Sequence, residues 1–181
     1  MTRYTVYGGS FDPIHLGHLS MLERAIALDY EVIVVPAHRH AFGKRSVPFE
    51  HRVRMCELAL QDSGFEARAR VCRIESRLSP GSDVPVYTYD VLCALRDALS
   101  SAPSLLVGPD IKAEWMRWYQ HEAIDREFGC LCLPMTRNIR STSMRQRLYN
   151  GESPTALRGL LSESVIAYMV AEGLYQAIST C

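Results

Sequence analysis

A parallel β-sheet covered by helices on both faces is the fold class that this 181-residue sequence predicts. Three observations predict it. Short apolar runs rich in β-branched residues alternate with stretches of helical period along the whole chain. In residues 31–35 (EVIVV) the four after Glu31 form a continuous apolar run, as a strand buried on both faces requires. The glycine-, histidine- and arginine-bearing stretches follow strands, and open parallel sheets gather their functional groups at the carboxyl ends of strands.

The first strand ends at Tyr7-Gly8-Gly9, and a loop leads to a helix over 16–28 with Leu19, Leu22 and Ile26 at core spacing. Gly8 and Gly9 remove side chains where backbone N–H groups can approach a ligand, and the helix directs its positive end to the same place. His15 and His18, at i and i+3, share one face of its first turn. Together these make a compact site for anionic oxygens. After the second strand comes an irregular loop over 36–48, carrying His38, His40, Lys44 and Arg45, and then a helix over 49–61. Residues 67–74 alternate like a strand, and a polar loop runs to Pro85. Thr88 is read as the N-cap of a helix over 89–99, with Asp90 in its first turn. Ser104–Val107 is a strand ending at Gly108-Pro109-Asp110, and a short helix then carries both Trp115 and Trp118. A strand over 129–133, a polar stretch over 136–147 and helices over 155–161 and 163–172 complete the chain. One domain is expected, with a helical C-terminal segment over about 141–181.

Lys+Arg and Asp+Glu number 20 each, which argues against electrostatically driven nucleic-acid binding and polybasic membrane binding. The six cysteines include no CxxC pair, so reduced thiols in a cytoplasmic protein are expected. No signal peptide or membrane-length apolar run is present, and nothing in the pattern specifies an oligomeric state. The dinucleotide fingerprint GxGxxG and the P-loop are both absent, so a phosphate site of another kind is called for.

Residues 9–18, GSFDPIHLGH, resemble the GxFDPxHxGH signature of the nucleotidylyltransferase superfamily, and residues 139–145, IRSTSMR, are similar to its second signature, ISSTxIR. Gly108-Pro109-Asp110 followed by Trp118, Tyr87-Thr88-Tyr89-Asp90 and the tail through Gly173-Leu174-Tyr175 resemble bacterial nicotinate-nucleotide adenylyltransferases. The resemblance implies a Rossmann-like, doubly wound α/β fold and transfer of AMP from ATP to nicotinate mononucleotide, giving deamido-NAD and pyrophosphate. It implies His15, His18 and Arg145 as catalytic residues, and an ATP site of Gly8, Gly9, Ser10, Phe11, His15, His18, Lys44, Gly108, Asp110, Ser141, Thr142 and Arg145. Ser10, Phe11, Lys44, Thr88 and Trp118 would meet the pyridine nucleotide, and Mg2+ would be carried by the ATP phosphates rather than by protein ligands. Arg140 departs from the pattern, standing where the family usually has serine, and the loop carrying His38 and Lys44 is not its commonest form.

Other readings remain open at this level. Nicotinamide mononucleotide or phosphopantetheine could be the acceptor, CMP transfer to a polar headgroup is a further superfamily chemistry, and a non-catalytic nucleotide sensor would keep the same fold. His15 and His18 could ligate zinc with His38 and His40. Ser141-Thr142-Ser143 could be a plain capped surface helix, Asp110 a helix cap, and one of Trp115 and Trp118 a core residue.

Overall fold

Tyr30–Pro36 pairs in parallel with Arg3–Gly9 over seven positions, from Arg3 opposite Tyr30 to Gly9 opposite Pro36. In this computed structural model, which describes residues 2–39, 46–80 and 86–176, those two strands anchor the sheet. The described elements are β1 (Arg3–Gly9), α1 (Leu16–Ala27), β2 (Tyr30–Pro36), α2 (Phe49–Asp62), β3 (Ala69–Val71), α3 (Ile74–Leu78) and α4 (Thr88–Leu99), then β4 (Ser104–Val107), α5 (Pro109–Ala113), α6 (His121–Glu127), β5 (Cys130–Cys132), α7 (Ser141–Tyr149) and α8 (Glu163–Ala171). The five strands are all parallel, in the order β3-β2-β1-β4-β5.

Strand period distributes the core between two faces. Val32 and Val34 point into one cluster with Leu22 of α1, Met55 and Cys56 of α2, Met144 of α7 and Val165 of α8. Ile33 and Val35 point into the other, with Leu92 of α4, Trp115 and Ile124 of α6. This is why β2 needs an unbroken apolar run. Successive strands move outward from β1 to β3, and the chain then crosses to β4 on the other side of β1. A doubly wound sheet opens a crevice at such a reversal, beyond the carboxyl ends of the two strands. Here those ends are Gly8-Gly9 and Gly108. The Rossmann-like expectation is met. No helix among the described residues is long and apolar enough to cross a membrane, and the five described cysteines are free.

Several expected elements differ. The strand expected over 67–74 is only Ala69–Val71, because it is an edge strand paired with three positions of β2, and Ile74 instead begins α3. Thr88 is the first residue of α4 and not its cap; extended Tyr87 precedes it and makes no side-chain capping bond. Trp115 and Trp118 do not share a helix: Trp115 opens a 3-10 turn, and Trp118 follows it in extended conformation. The helix expected over 155–161 is a 3-10 turn, Pro154–Leu157, because the chain leaves the helical path at extended Arg158 (ψ 137°) and at Gly159, whose φ is +80°. α7 begins at Ser141, inside the stretch read as polar.

One buried cation braces the loops that follow β1 and β2. Arg52 on α2 is 3 % exposed and donates to the carbonyls of Ser10 (2.8 Å), Val47 (3.1 Å) and His38 (3.3 Å). Removing it leaves buried acceptors without donors. Arg52→Met should therefore lower stability by on the order of 3 kcal/mol, read as a shift of the urea midpoint at unchanged slope. An unchanged midpoint would show that the three carbonyls do not depend on it.

Candidate functional site

His15 and His18 form a reciprocal cap at the start of α1. The His18 N–H donates to His15 Nδ1, and the His15 N–H donates to His18 Nδ1, both at 3.2 Å. This is a capping box in which imidazoles replace the usual Ser and Glu. Because each Nδ1 accepts, the proton of each neutral ring lies on Nε2, which is thereby the ring's donor. The rings stack at 3.6 Å between centroids. The glycine between them favours this arrangement: a Cβ on Gly17 would stand 3.0 Å from the His15 ring and from the Arg137 carbonyl, and would press on both. Two of the first-turn N–H groups, those of Leu16 and His18, are already paired, so α1 offers fewer free donors to an anion than its position suggests.

Two clefts meet at these histidines. The larger, about 380 Å³, is mainly apolar and lies over the crevice of the sheet; Gly8, Gly9, Thr88, Gly108, Asp110 and Trp118 are on its wall. The smaller, about 250 Å³, is polar and bordered by Phe11, His15, Ser46, Ser141, Thr142 and Arg145. Ser10, His18, Met135 and Arg140 line both. Gly8 leaves open space beside the larger cleft, in line with the expected close approach of a ligand. Gly9 has a second reason: a Cβ there would meet the Phe11 ring at 3.1 Å. That ring is 2 % exposed and lies edge-on to His18, with centroids 5.1 Å apart.

α7 delivers the second set of groups. Its N-cap, Arg140, makes no side-chain capping bond, so the opening turn presents N–H groups at the polar cleft without a competing oxygen. The Ser141 hydroxyl donates to the Pro13 carbonyl at 3.0 Å, which ties the helix start to the first loop. Arg145 donates to the Asp12 carbonyl (2.6 Å) and to the Thr142 hydroxyl (3.3 Å). Asp12 is buried and also accepts from the Tyr175 hydroxyl at 2.5 Å. Arg140 reaches across the cleft mouth to Asp110, 2.8 Å away. Trp115 is the core residue of the tryptophan pair, 4 % exposed and donating to Asp125, while Trp118 packs on it at 5.3 Å and faces the larger cleft.

The structure thus brings together every expected site residue except Lys44, which lies outside the described residues together with His40. Of the four histidines read as a zinc set, His15, His18 and His38 are described, and among the described residues no group of three or more His, Cys, Asp and Glu side chains could hold a metal ion. Sequence reasoning missed Glu75, which lies on the wall of the larger cleft and accepts the His38 N–H at 2.7 Å. Its only signal was an acidic residue just beyond the carboxyl end of the third strand. Burial raises its carboxyl to about 7, against the lowering effects of that hydrogen bond and of Arg52.

Burial also keeps the histidines neutral. His15 is pushed down to about 4, first by desolvation and then by the Arg140 guanidinium. His18 is held well below the ordinary imidazole range by desolvation and by its neighbour His15. A depressed histidine contributes stability above the unfolded value, near 6.5, and that contribution is lost as pH falls toward the folded one. Glu75, being raised, acts in the opposite sense over part of this range, so a comparison between variants isolates His15. His15→Asn keeps a capping acceptor but does not titrate. The stability difference between wild type and His15→Asn should shrink by on the order of 3 kcal/mol between pH 7 and pH 4. Parallel pH profiles in urea unfolding would refute it.

A family model described as cytidylyltransferase-like matches residues 6–180. A relative from Anaeromyxobacter dehalogenans, named probable nicotinate-nucleotide adenylyltransferase, is 35% identical over 188 residues, covering 93% of this chain and 94% of its own. One of the same name from Myxococcus xanthus is 33% identical, covering 96% of this chain and 94% of its own. A solved structure of Plasmodium falciparum nicotinic acid mononucleotide adenylyltransferase complexed with NaAD matches with a TM-score of 0.78 over 97% of this chain and 98% of that one. At 19% identity that likeness is one of fold. With both signatures assembled around one crevice, the chain belongs to the nicotinate-nucleotide adenylyltransferase family of cytidylyltransferase-like proteins.

Proposed function

We propose that the protein transfers AMP from ATP to nicotinate mononucleotide, forming deamido-NAD and releasing pyrophosphate. The observation that carries this reading is the pair of clefts that meet at Ser10, His18, Met135 and Arg140. The apolar cleft suits a nucleoside and a flat ring; the polar one suits a polyphosphate. The α-phosphorus then belongs where they join.

In this reading the acceptor's phosphate, already ionised, attacks the α-phosphorus in line, and the bond to the β-phosphate breaks. No general base is required, so the protein's part is alignment and stabilisation of charge. His15 and His18, neutral and protonated at Nε2, donate hydrogen bonds from Nε2 to phosphate oxygens. Arg145, Ser141 and Thr142 hold the β- and γ-phosphates at the α7 start. Gly8, Gly9, Ser10 and Phe11 border the nucleotide path, Gly108 and Asp110 lie at its sugar, and Lys44 is a further phosphate ligand. The donors of the polar cleft are hydroxyls, imidazoles and the two guanidinium groups of Arg140 and Arg145, which fit phosphate oxygens, and its carboxylate, Asp12, is engaged by Tyr175 and Arg145. Mg2+ therefore fits as a cation carried on those oxygens, where it would neutralise the leaving pyrophosphate.

Trp118 covers the pyridine ring, and the opening turn of α4 at Thr88, with no side-chain cap, favours an attached carboxylate through its free N–H groups. With Mg-ATP, pyrophosphate release should have a higher kcat/KM for nicotinate mononucleotide than for nicotinamide mononucleotide. Phosphopantetheine, or CTP as donor, should support little turnover. Trp118→Ala should raise KM for both pyridine substrates by similar factors, since stacking does not distinguish the two groups. Preference for nicotinamide mononucleotide would refute the helix-start assignment, and preference for phosphopantetheine would refute the acceptor class.

A further inference from the structure

Arg140 occupies the serine position of the second signature and is not absorbed by the reading above. Its guanidinium spans the mouth of the site, lining both clefts and bonding Asp110 at 2.8 Å. The other residues at that junction are Ser10, Met135 and His18, and the stacked, desolvated imidazoles carry no formal charge. A guanidinium is a permanent cation with a planar fork of donors. The fixed positive charge at the junction thus belongs to Arg140. Asp110 folds back over the strand end to meet it: its Oδ1 would lie 2.6 Å from a Cβ on Gly108, so a side chain at position 108 would have to displace the carboxylate. The Arg140 hydrogen bond holds the Asp110 carboxyl below the usual carboxylate range.

We propose that Arg140 is a phosphate-binding residue of this enzyme, held on Asp110 and transferred to the substrate polyphosphate when the nucleotide enters. The proposal rests on the adenylyl-transfer reading and adds to it a cation at the bond between the α- and β-phosphates. As that bond breaks, negative charge moves onto the departing pyrophosphate, and the guanidinium is placed to take it up. Asp110 is released in the same exchange and becomes available to a sugar hydroxyl. A serine at position 140, which resemblance alone would treat as neutral, would then not be neutral here.

The test uses inorganic pyrophosphate, which has no sugar and so excludes any direct role of Asp110 toward ribose. Its binding is measured by calorimetry for wild type, Arg140→Ser, Asp110→Asn and the double variant. The two side chains are 57 % and 44 % exposed, so the substitutions leave the core untouched. Arg140→Ser should weaken pyrophosphate binding about tenfold, the scale of one charge-assisted contact, and Arg140→Lys should recover part of the loss. Asp110→Asn should tighten binding by freeing the guanidinium, and that gain should vanish when serine is at position 140. Arg140→Ser with wild-type affinity, or Asp110→Asn weakening binding as much as Arg140→Ser, would overturn the proposal. Wild type that binds pyrophosphate in this pattern but turns over no pyridine mononucleotide would overturn the reaction reading and leave the anion site standing.

Discussion

The reciprocal histidine cap is the constraint on which the rest of the site depends. Two backbone N–H groups at the start of α1 need acceptors, and His15 and His18 provide them through Nδ1. That single arrangement ends the loop, starts the helix and decides which nitrogen of each ring carries the proton. It also explains the neutrality of the pair, because protonation at Nδ1 would set two donors against each other. Burial reinforces this electronically, since two cations 3.6 Å apart in a desolvated site would repel strongly. The result is a pair of neutral rings that each keep one donor, Nε2–H, for an anion.

The loop before that cap is held from several distant parts of the chain. Ser10 accepts from Arg52 of α2, Pro13 from Ser141 of α7, and Asp12 from Arg145 and Tyr175. The C-terminal segment is therefore structural support for the first loop and not an appendage to the sheet. Its helices α7 and α8 pack on the same apolar cluster as α1 and α2, so the phosphate-side residues are positioned by core packing as well as by hydrogen bonds. A change in the tail is transmitted to the polar cleft through Asp12.

Much of this was legible in the residues. The unbroken VIVV run of β2, the core spacing in α1 and α2, and the placement of motifs beyond strand ends all follow from local periods that any such chain obeys. Less legible were features whose extent is set by a partner. β3 is short because three positions of β2 are all it pairs with, and the local alternation over 67–74 carried no trace of that. Trp115 and Trp118 look alike in sequence, yet one is a buried donor to Asp125 and the other a wall of the cleft, because α5 stops at Ala113, before both, and the 3-10 turn that Trp115 opens ends at Arg117. Gly9, read as a ligand-approach glycine, does line the larger cleft, and the tertiary structure adds a second reason for it, room for the Phe11 ring.

By itself the sequence determined the alternating α/β order, the pairing of His15 with His18 on one turn, and the family. These depend on residues three or four apart or on patterns of fixed period, and short-range geometry is nearly the same in every fold. Only the tertiary structure decided that Arg140 meets Asp110 across 30 residues, that Tyr175 reaches Asp12 across 163, and that Glu75 is buried at the cleft wall. The reason is physical. Long-range contacts and desolvation are created by whatever the folded chain lays over a residue, and a residue's sequence neighbours carry no record of that.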